Sequence, residues 1–177
     1  MDHGMNFKPL EKKALLDFIY DTISVYTDAL LRYQEYTDPQ KARQAAKQEA
    51  LELIPNFVVP DNHVIYAIEL KGVRVGSLWY IIKQGKLGHA HAFLNYMHIE
   101  TPYRQRGFAT EAMKLYEAEI KTRFHCHSTD LYVFKDNVAA VTLYQKCGYL
   151  ADRIEKDSGY RQRMLKNFKP TLSSLAE

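Results

Sequence analysis

Leu15, Phe18, Ile19, Thr22, Ile23, Tyr26, Leu30 and Tyr33 recur three and four residues apart, a period that predicts one long amphipathic helix over 10–36. Thr37-Asp38-Pro39-Gln40 supplies a cap and a first-turn proline for a second helix ending near Leu53, and Pro55 and Pro60 bracket the loop after it. From Val64 the pattern changes to alternation with β-branched residues, which predicts a hairpin of 64–70 and 73–83 turned at Lys71-Gly72. The stretch 84–89 reads as a mobile connection and 91–99 as the next strand. Ala109, Ala112, Met113, Tyr116, Ile120 and Phe124 return to helical spacing over 107–124. A strand at 130–134, a helix from Asp136 or Asn137 to Gly148, and a hairpin of 149–155 and 160–167 around Asp157-Ser158-Gly159 complete the order. Met1 to Gly4 stay outside the fold reading, Met5 being an alternative start, and the chain from Lys169 reads as a loose tail.

A chain of 177 residues with 46% hydrophobic content can bury a substantial core. One domain over 1–177 is expected, with a helical pair at 10–54, a core at 64–167 and a tail at 168–177. The net charge of +3, from 24 basic and 21 acidic residues, is too small and too evenly spread for a nucleic-acid surface. The first residues lack a signal-peptide layout and no apolar run is long enough to span a bilayer, so a soluble, cytoplasmic protein is expected. Cys126 and Cys147 show no metal-type pairing, which fits a reducing compartment and a role as small apolar fillers. The spacing of His89, His91 and His98, without nearby Cys or Asp, argues against a metal.

The candidate chemistry lies in Tyr103-Arg104-Gln105-Arg106-Gly107-Phe108-Ala109-Thr110, between the apolar strand and the helix that follows it. Helix amino termini leave N–H groups unpaired and carry partial positive charge, so this junction suits a phosphorylated ligand. Arg104 and Arg106 can add charge-assisted contacts, or can stand as a solvated pair. A nucleotide-hydrolysing P-loop is absent, and Gly107 stands alone where a dinucleotide fingerprint needs three glycines.

The segment Arg104-x-x-Gly107-x-Ala109 and the later block Asn137-Val138-Ala139-Ala140-Val141-Thr142-Leu143-Tyr144-Gln145-Lys146-Cys147-Gly148-Tyr149 together resemble the two cofactor motifs of the GNAT superfamily of acyl-CoA-dependent N-acetyltransferases. The resemblance covers about 64–165 and implies an α/β (α+β) fold: a mixed, mostly antiparallel sheet with a central splay and helices on both faces. It implies acetyl-CoA as acyl donor, no metal, and a small-molecule or peptide amine as acceptor, without nucleic-acid or membrane partners. Homodimers are common in the family. The helical pair covers the acceptor side in such folds, which assigns Asn56 to His63 a part in substrate choice.

By the same resemblance, the N–H groups of Gln105, Arg106, Gly107, Phe108, Ala109 and Thr110 hold the diphosphate, and Gly107 admits close backbone approach unless it is an ordinary loop glycine. The segment Met97-His98-Ile99 binds the pantetheine arm, chiefly through the main chain of Met97 and Ile99, and Ala140 and Asn137 belong to the cofactor set, Asn137 as a ligand or a helix cap. Tyr144 matches the general acid toward the departing sulfur, a phenol of pKa about 10 being protonated at neutral pH; packing alone is its other reading. Asn95 stands where several relatives carry an acidic or histidine base, so His91, His98, Glu69, Glu100 or a water chain is left for that role. His91 is the favoured base, alternation placing it on one face with Asn95 and Met97 apart from bulge effects. The expected activity is N-acetyl transfer to a primary amine in a ternary complex; the alternative is a non-catalytic CoA-binding sensor or interaction module on the same fold.

Overall fold

The computed structural model describes residues 4–10, 12–85, 89–152 and 159–168. The order is β1 (Met5–Pro9), α1 (Lys12–Arg32), α2 (Pro39–Leu53), β2 (His63–Leu70), β3 (Val73–Gln84), β4 (Ala90–Ile99), α3 (Phe108–Thr122), β5 (Cys126–Phe134), α4 (Val138–Lys146), β6 (Leu150–Ala151) and β7 (Arg161–Asn167). The strands form one sheet in the order β1-β2-β3-β4-β5-β7-β6, and β4 with β5 is the parallel pair in an otherwise antiparallel ladder. This is the mixed sheet that the motifs implied.

Local chemistry explains most of the boundaries. Asp38 caps α2 by accepting from the N–H of Gln40 at 2.8 Å and of Lys41 at 3.3 Å, and Pro39 begins the first turn. The α2 face that packs on α1 carries Ala42, Ala46 and Ala50, whose small side chains let the two helices approach closely. α1 stops at Arg32, short of the predicted 36, because Gln34 adopts a left-handed φ of 60° and the N–H of Tyr36 folds back to the carbonyl of Leu30. Lys71 and Gly72 both have positive φ, as the tight β2–β3 turn requires.

Three elements differ from the pattern. β1 adds an edge strand that short-range periodicity did not reveal; its partner β2 lies some sixty positions along, and Phe7 stacks on Tyr66 with ring centroids 5.5 Å apart. β5 begins at Cys126 rather than 130, since its polar start is enclosed between β4 and β7, where Thr129 and Asp130 are buried. β6 is two residues long, and the expected turn at Asp157-Ser158 lies outside the described residues, as do Lys86 to Gly88 of the expected mobile connection and the tail from Lys169.

The sheet separates two apolar clusters. Leu78, Tyr80, Leu94, Met113, Tyr116, Ile120 and Tyr149 fill the α3/α4 face, and Phe18, Leu30, Ile54 and Trp79 fill the α1/α2 face. A bulge decides which side chains of β4 belong to which. Trp79 faces Tyr96 and Tyr80 faces Leu94, leaving Asn95 as the extra residue. Ala92 and Leu94 before the bulge, and Met97 and Ile99 after it, therefore share the α3/α4 face, whereas Tyr96 belongs to the other. The simple alternation that put His91 and Met97 together is corrected: the inserted residue sets them on opposite faces.

Gly76 of β3 is required by contact rather than by φ. A Cβ there would lie 2.2 Å from the carbonyl oxygen of His98 and 3.1 Å from Cδ1 of Ile99. Gly76→Ala is expected to push the end of β4 outward and to destabilise the protein by about 1–3 kcal/mol. Denaturant unfolding measures this, and an unchanged midpoint would contradict the packing described.

Candidate active site

β4 and β5 pair from Ala90 with Cys126 as far as Leu94 with Leu131, and no further. Beyond that point β4 continues to Ile99 alongside β3, and β5 continues to Phe134 alongside β7, so a gap opens in the sheet centre. The Asn95 bulge sits where the strands part. The N–H of Glu100 bonds to the carbonyl of Val75 at 2.9 Å on β3. By two-residue alternation the main-chain groups of Met97 and Ile99 point the other way, into the gap. Those of His98 face β3, as its carbonyl beside Gly76 confirms. Of the segment expected to line the cofactor arm, Met97 and Ile99 are placed to do so and the His98 main chain is not.

The turn after β4 opens at the same end. Gln105 and Gly107 have φ of 59° and 83°, and Gly107 begins α3 without any side-chain cap. Among the described residues, the N–H groups of Gln105, Arg106, Gly107, Ala109 and Thr110 have no acceptor in the protein. A Cβ on Gly107 would meet nothing within 4 Å, so the space beside the turn is open. A left-handed turn feeding a helix start gathers donors around a point and suits a diphosphate. Arg106 is exposed. Arg104 is turned back onto β4: its Nε donates to the carbonyl of Ile99 at 2.8 Å, and one terminal nitrogen lies 3.3 Å from Nε2 of His98. Its guanidinium ties the turn to the strand end instead of reaching over the turn's amides.

Phe108, Ala109, Ala140, Tyr144, Met97 and Ile99 join one apolar cluster, so the two sequence motifs meet in space. Asn137 caps α4, its side-chain oxygen accepting from the N–H of Ala140 at 3.2 Å. Tyr144 is buried, its ring centroid 5.9 Å from that of Tyr149. Burial first, and Cys147 second, push its pKa up to about 12. The phenol keeps its proton throughout the neutral range.

His91 is not brought to this place. It lies six residues before Met97, roughly 20 Å along an extended strand, and on the sheet face away from Tyr144. Its Nδ1 is 2.8 Å from Oγ of Ser128 and its Nε2 is 2.5 Å from Asp130, which also accepts from Arg163. Burial works to raise the Asp130 carboxyl, but hydrogen bonds and charge from His91 and Arg163 hold it below its ordinary value. The network closes the enclosed start of β5, and the assignment of His91 as base is withdrawn on this geometry. His91→Ala is expected to cost about 1–3 kcal/mol of stability by leaving a buried carboxylate oxygen without its partner. Turnover at a temperature where the variant is folded should match the parent; a pH-rate profile that loses a limb would restore the catalytic role.

Of the other base candidates, Glu69 pairs with Lys8 on the β1–β2 edge at 3.5 Å. Glu100 lies 3.7 Å from Arg74. His98 stands at the gap on the α1/α2 side, its ring stacked on Tyr96 at 6.0 Å and 10°. Burial, then Arg104 and Arg74, hold its pKa below the ordinary histidine value. The loop around Asn56 to His63 joins β2 where Ile82 of β3 bonds back to Asn62, level with Ala92 of β4 and below the gap. The other end of the loop lies against α1, Phe57 standing 6.3 Å from Tyr20 between ring centroids, next to Asp21. The far wall adds an ion cluster that the sequence pattern did not single out: Tyr26 of α1 and Phe134 of β5 flank Arg161, which Glu35 and Glu49 bind at 2.6 and 3.3 Å. An arginine at the start of a predicted strand was the one signal available for this half-buried cation.

Among the described residues no helix is long and apolar enough to cross a membrane. A family model described as the acetyltransferase (GNAT) family matches residues 24–149. The uncharacterised N-acetyltransferase YycN of Bacillus subtilis (strain 168) is 23% identical over 143 residues, covering 80% of this chain and 89% of that protein. The crystal structure of YycN superposes with a TM-score of 0.77 at 20% identity, covering 87% and 97% of the two chains. Spermidine N-acetyltransferase from Vibrio cholerae, in complex with CoA and spermine, gives 0.63 at 18% identity over 93% and 95%. PaiA N-acetyltransferase from Thermoplasma acidophilum, in complex with coenzyme A, gives 0.66 at 15% identity over 93% and 99%.

Proposed function

The chain belongs to the acetyltransferase (GNAT) family and is an acyltransferase acting on amines, and from that premise we propose direct transfer of an acetyl group from acetyl-CoA to a primary amine within a ternary complex. The observation that carries this reading is the meeting of an open, donor-rich turn, a strand gap and a buried protonated tyrosine at one end of the sheet. The CoA-bound neighbours from Vibrio cholerae and Thermoplasma acidophilum support the choice of donor. When bound, acetyl-CoA supplies the thioester carbon that the amine attacks.

The protein's own groups divide the remaining work. Main-chain N–H groups of 105–110 hold the diphosphate, and the main chain of Met97 with the N–H of Ile99 aligns the arm along β4. Tyr144 holds a proton at its phenolic oxygen for the departing sulfur. Asn95, at the bulge, offers no proton acceptor of use, so the amine enters neutral or loses its proton to water in the gap. Among the described residues the strands form one sheet, against which both motif-bearing helices pack, which supports reading the chain as one domain.

A thiol-release assay with acetyl-CoA and a panel of primary amines tests the reading. Saturable, amine-dependent release is expected. CoA binding without turnover on any amine would favour the sensor alternative, and no CoA binding at millimolar concentration would end both.

A further inference from the structure

The α1/α2 side of the gap, where an acceptor must approach, carries an unusual balance of charge. Arg74 of β3, His98 of β4 and Arg104 of the turn converge there, with Asp21 reaching in from α1 and Glu100 from the end of β4. Arg161, on the far wall, already has its two glutamates. Arg104 differs: among the described residues its guanidinium meets a carbonyl and an imidazole but no carboxylate. Arg74 donates to Oγ of Ser77 at 2.9 Å, yet its Nε is buried without a hydrogen-bond partner and its acidic neighbour Glu100 stands off at 3.7 Å.

We propose that these two guanidiniums receive an oxyanion of the acceptor, so that the substrate is an amine bearing a carboxylate or phosphate close by, as in an amino acid, and not a polyamine. A planar guanidinium with unused donors binds such a group by charge-assisted pairs. A polycation would be brought against two like charges, which discriminates against it. The field at His98 has the required sign: burial and, after it, Arg104 and Arg74 outweigh Asp21 there and disfavour a charged ring. Cationic surroundings also favour the neutral form of an incoming amine, which suits a gap whose bulge residue is Asn95 rather than a base. α-Amines, with pKa near about 8, lose a proton more readily than lysine-like amines near about 10.4.

The inference rests on the acetyl-transfer reading and is tested apart from it. Thiol release is measured for amino acids, their amides, aminoethyl phosphate and spermidine, with wild type, Arg74→Gln and Arg74→Lys. The anionic amines are expected to exceed the matched amides in kcat/KM by at least about tenfold. Arg74→Gln should remove most of that ratio by raising KM for the anionic amines, Arg74→Lys should restore part of it, and the CoA dissociation constant, measured in parallel, should not move. Comparison of the carboxylate and phosphate arms identifies which oxyanion is taken. Preference for spermidine or for the amides, or a ratio untouched in Arg74→Gln, overturns the proposal while leaving acetyl transfer standing; turnover of no amine overturns the acetyl-transfer reading itself.

Discussion

Gly107→Glu is expected to weaken CoA binding by more than about a hundredfold while leaving a folded protein. Two effects act together. A carboxylate placed beside the turn opposes the diphosphate that the amides of 105–110 are proposed to hold, and like charges at contact distance cost several kcal/mol where water is displaced. The side chain must also adopt a φ of 83°, a conformation that costs a non-glycine residue on the order of 1 kcal/mol. Since a Cβ at Gly107 meets no protein atom within 4 Å, the substitution does not disturb the core. Calorimetric titration with CoA, beside a thermal unfolding curve, separates lost binding from lost folding. Retained affinity in Gly107→Glu would mean that the diphosphate lies elsewhere.

Tyr144→Phe is expected to preserve CoA affinity within about twofold and to lower kcat by roughly a hundredfold, the lower range for loss of a positioned general acid. The ring stays, so packing against Tyr149 within the α3/α4 cluster is retained and stability should change little. What is removed is a proton held by a phenol whose pKa burial pushes up to about 12. Because burial raises that phenol's pKa to about 12, it is expected to contribute no falling limb to the wild-type pH-rate profile between pH 7 and about 10; a limb there belongs to another group. Equal loss of kcat and CoA affinity in Tyr144→Phe would instead make the tyrosine a structural support of the cofactor groove.

Much of the molecule was legible along the chain because its causes are local. Asp38 and Pro39 start α2 by capping chemistry, Lys71-Gly72 turns the hairpin because both residues take positive φ, and Gly107 begins α3 in the left-handed region. The motif around Gly107 and the block holding Asn137 and Tyr144 pointed to the acetyltransferase family, and the family model confirms that membership. β1 was hidden because five residues with a lysine and a proline carry little periodicity, and their pairing with β2 spans a long loop of chain.

His91 shows the opposite case. Its residue type suited a base, but a single inserted residue, Asn95, reverses the faces of β4, and Ser128 and Asp130, more than thirty positions away, claim both ring nitrogens. Arg104 shows it again: sequence proximity to Gly107 suggested a phosphate ligand, whereas the carbonyl of Ile99 and the ring of His98 hold its guanidinium.

The amino-acid order alone determined most of the elements, the caps of α2 and α4 and the amide-rich turn, since these depend on residues a few positions apart. Where β4 leaves β5, which face each β4 side chain takes, and which carboxylates pair with which arginines were decided only in three dimensions. Bulges, strand divergence and ion pairing are settled by partners distant in sequence, and their energies exist only once the sheet has brought those partners together.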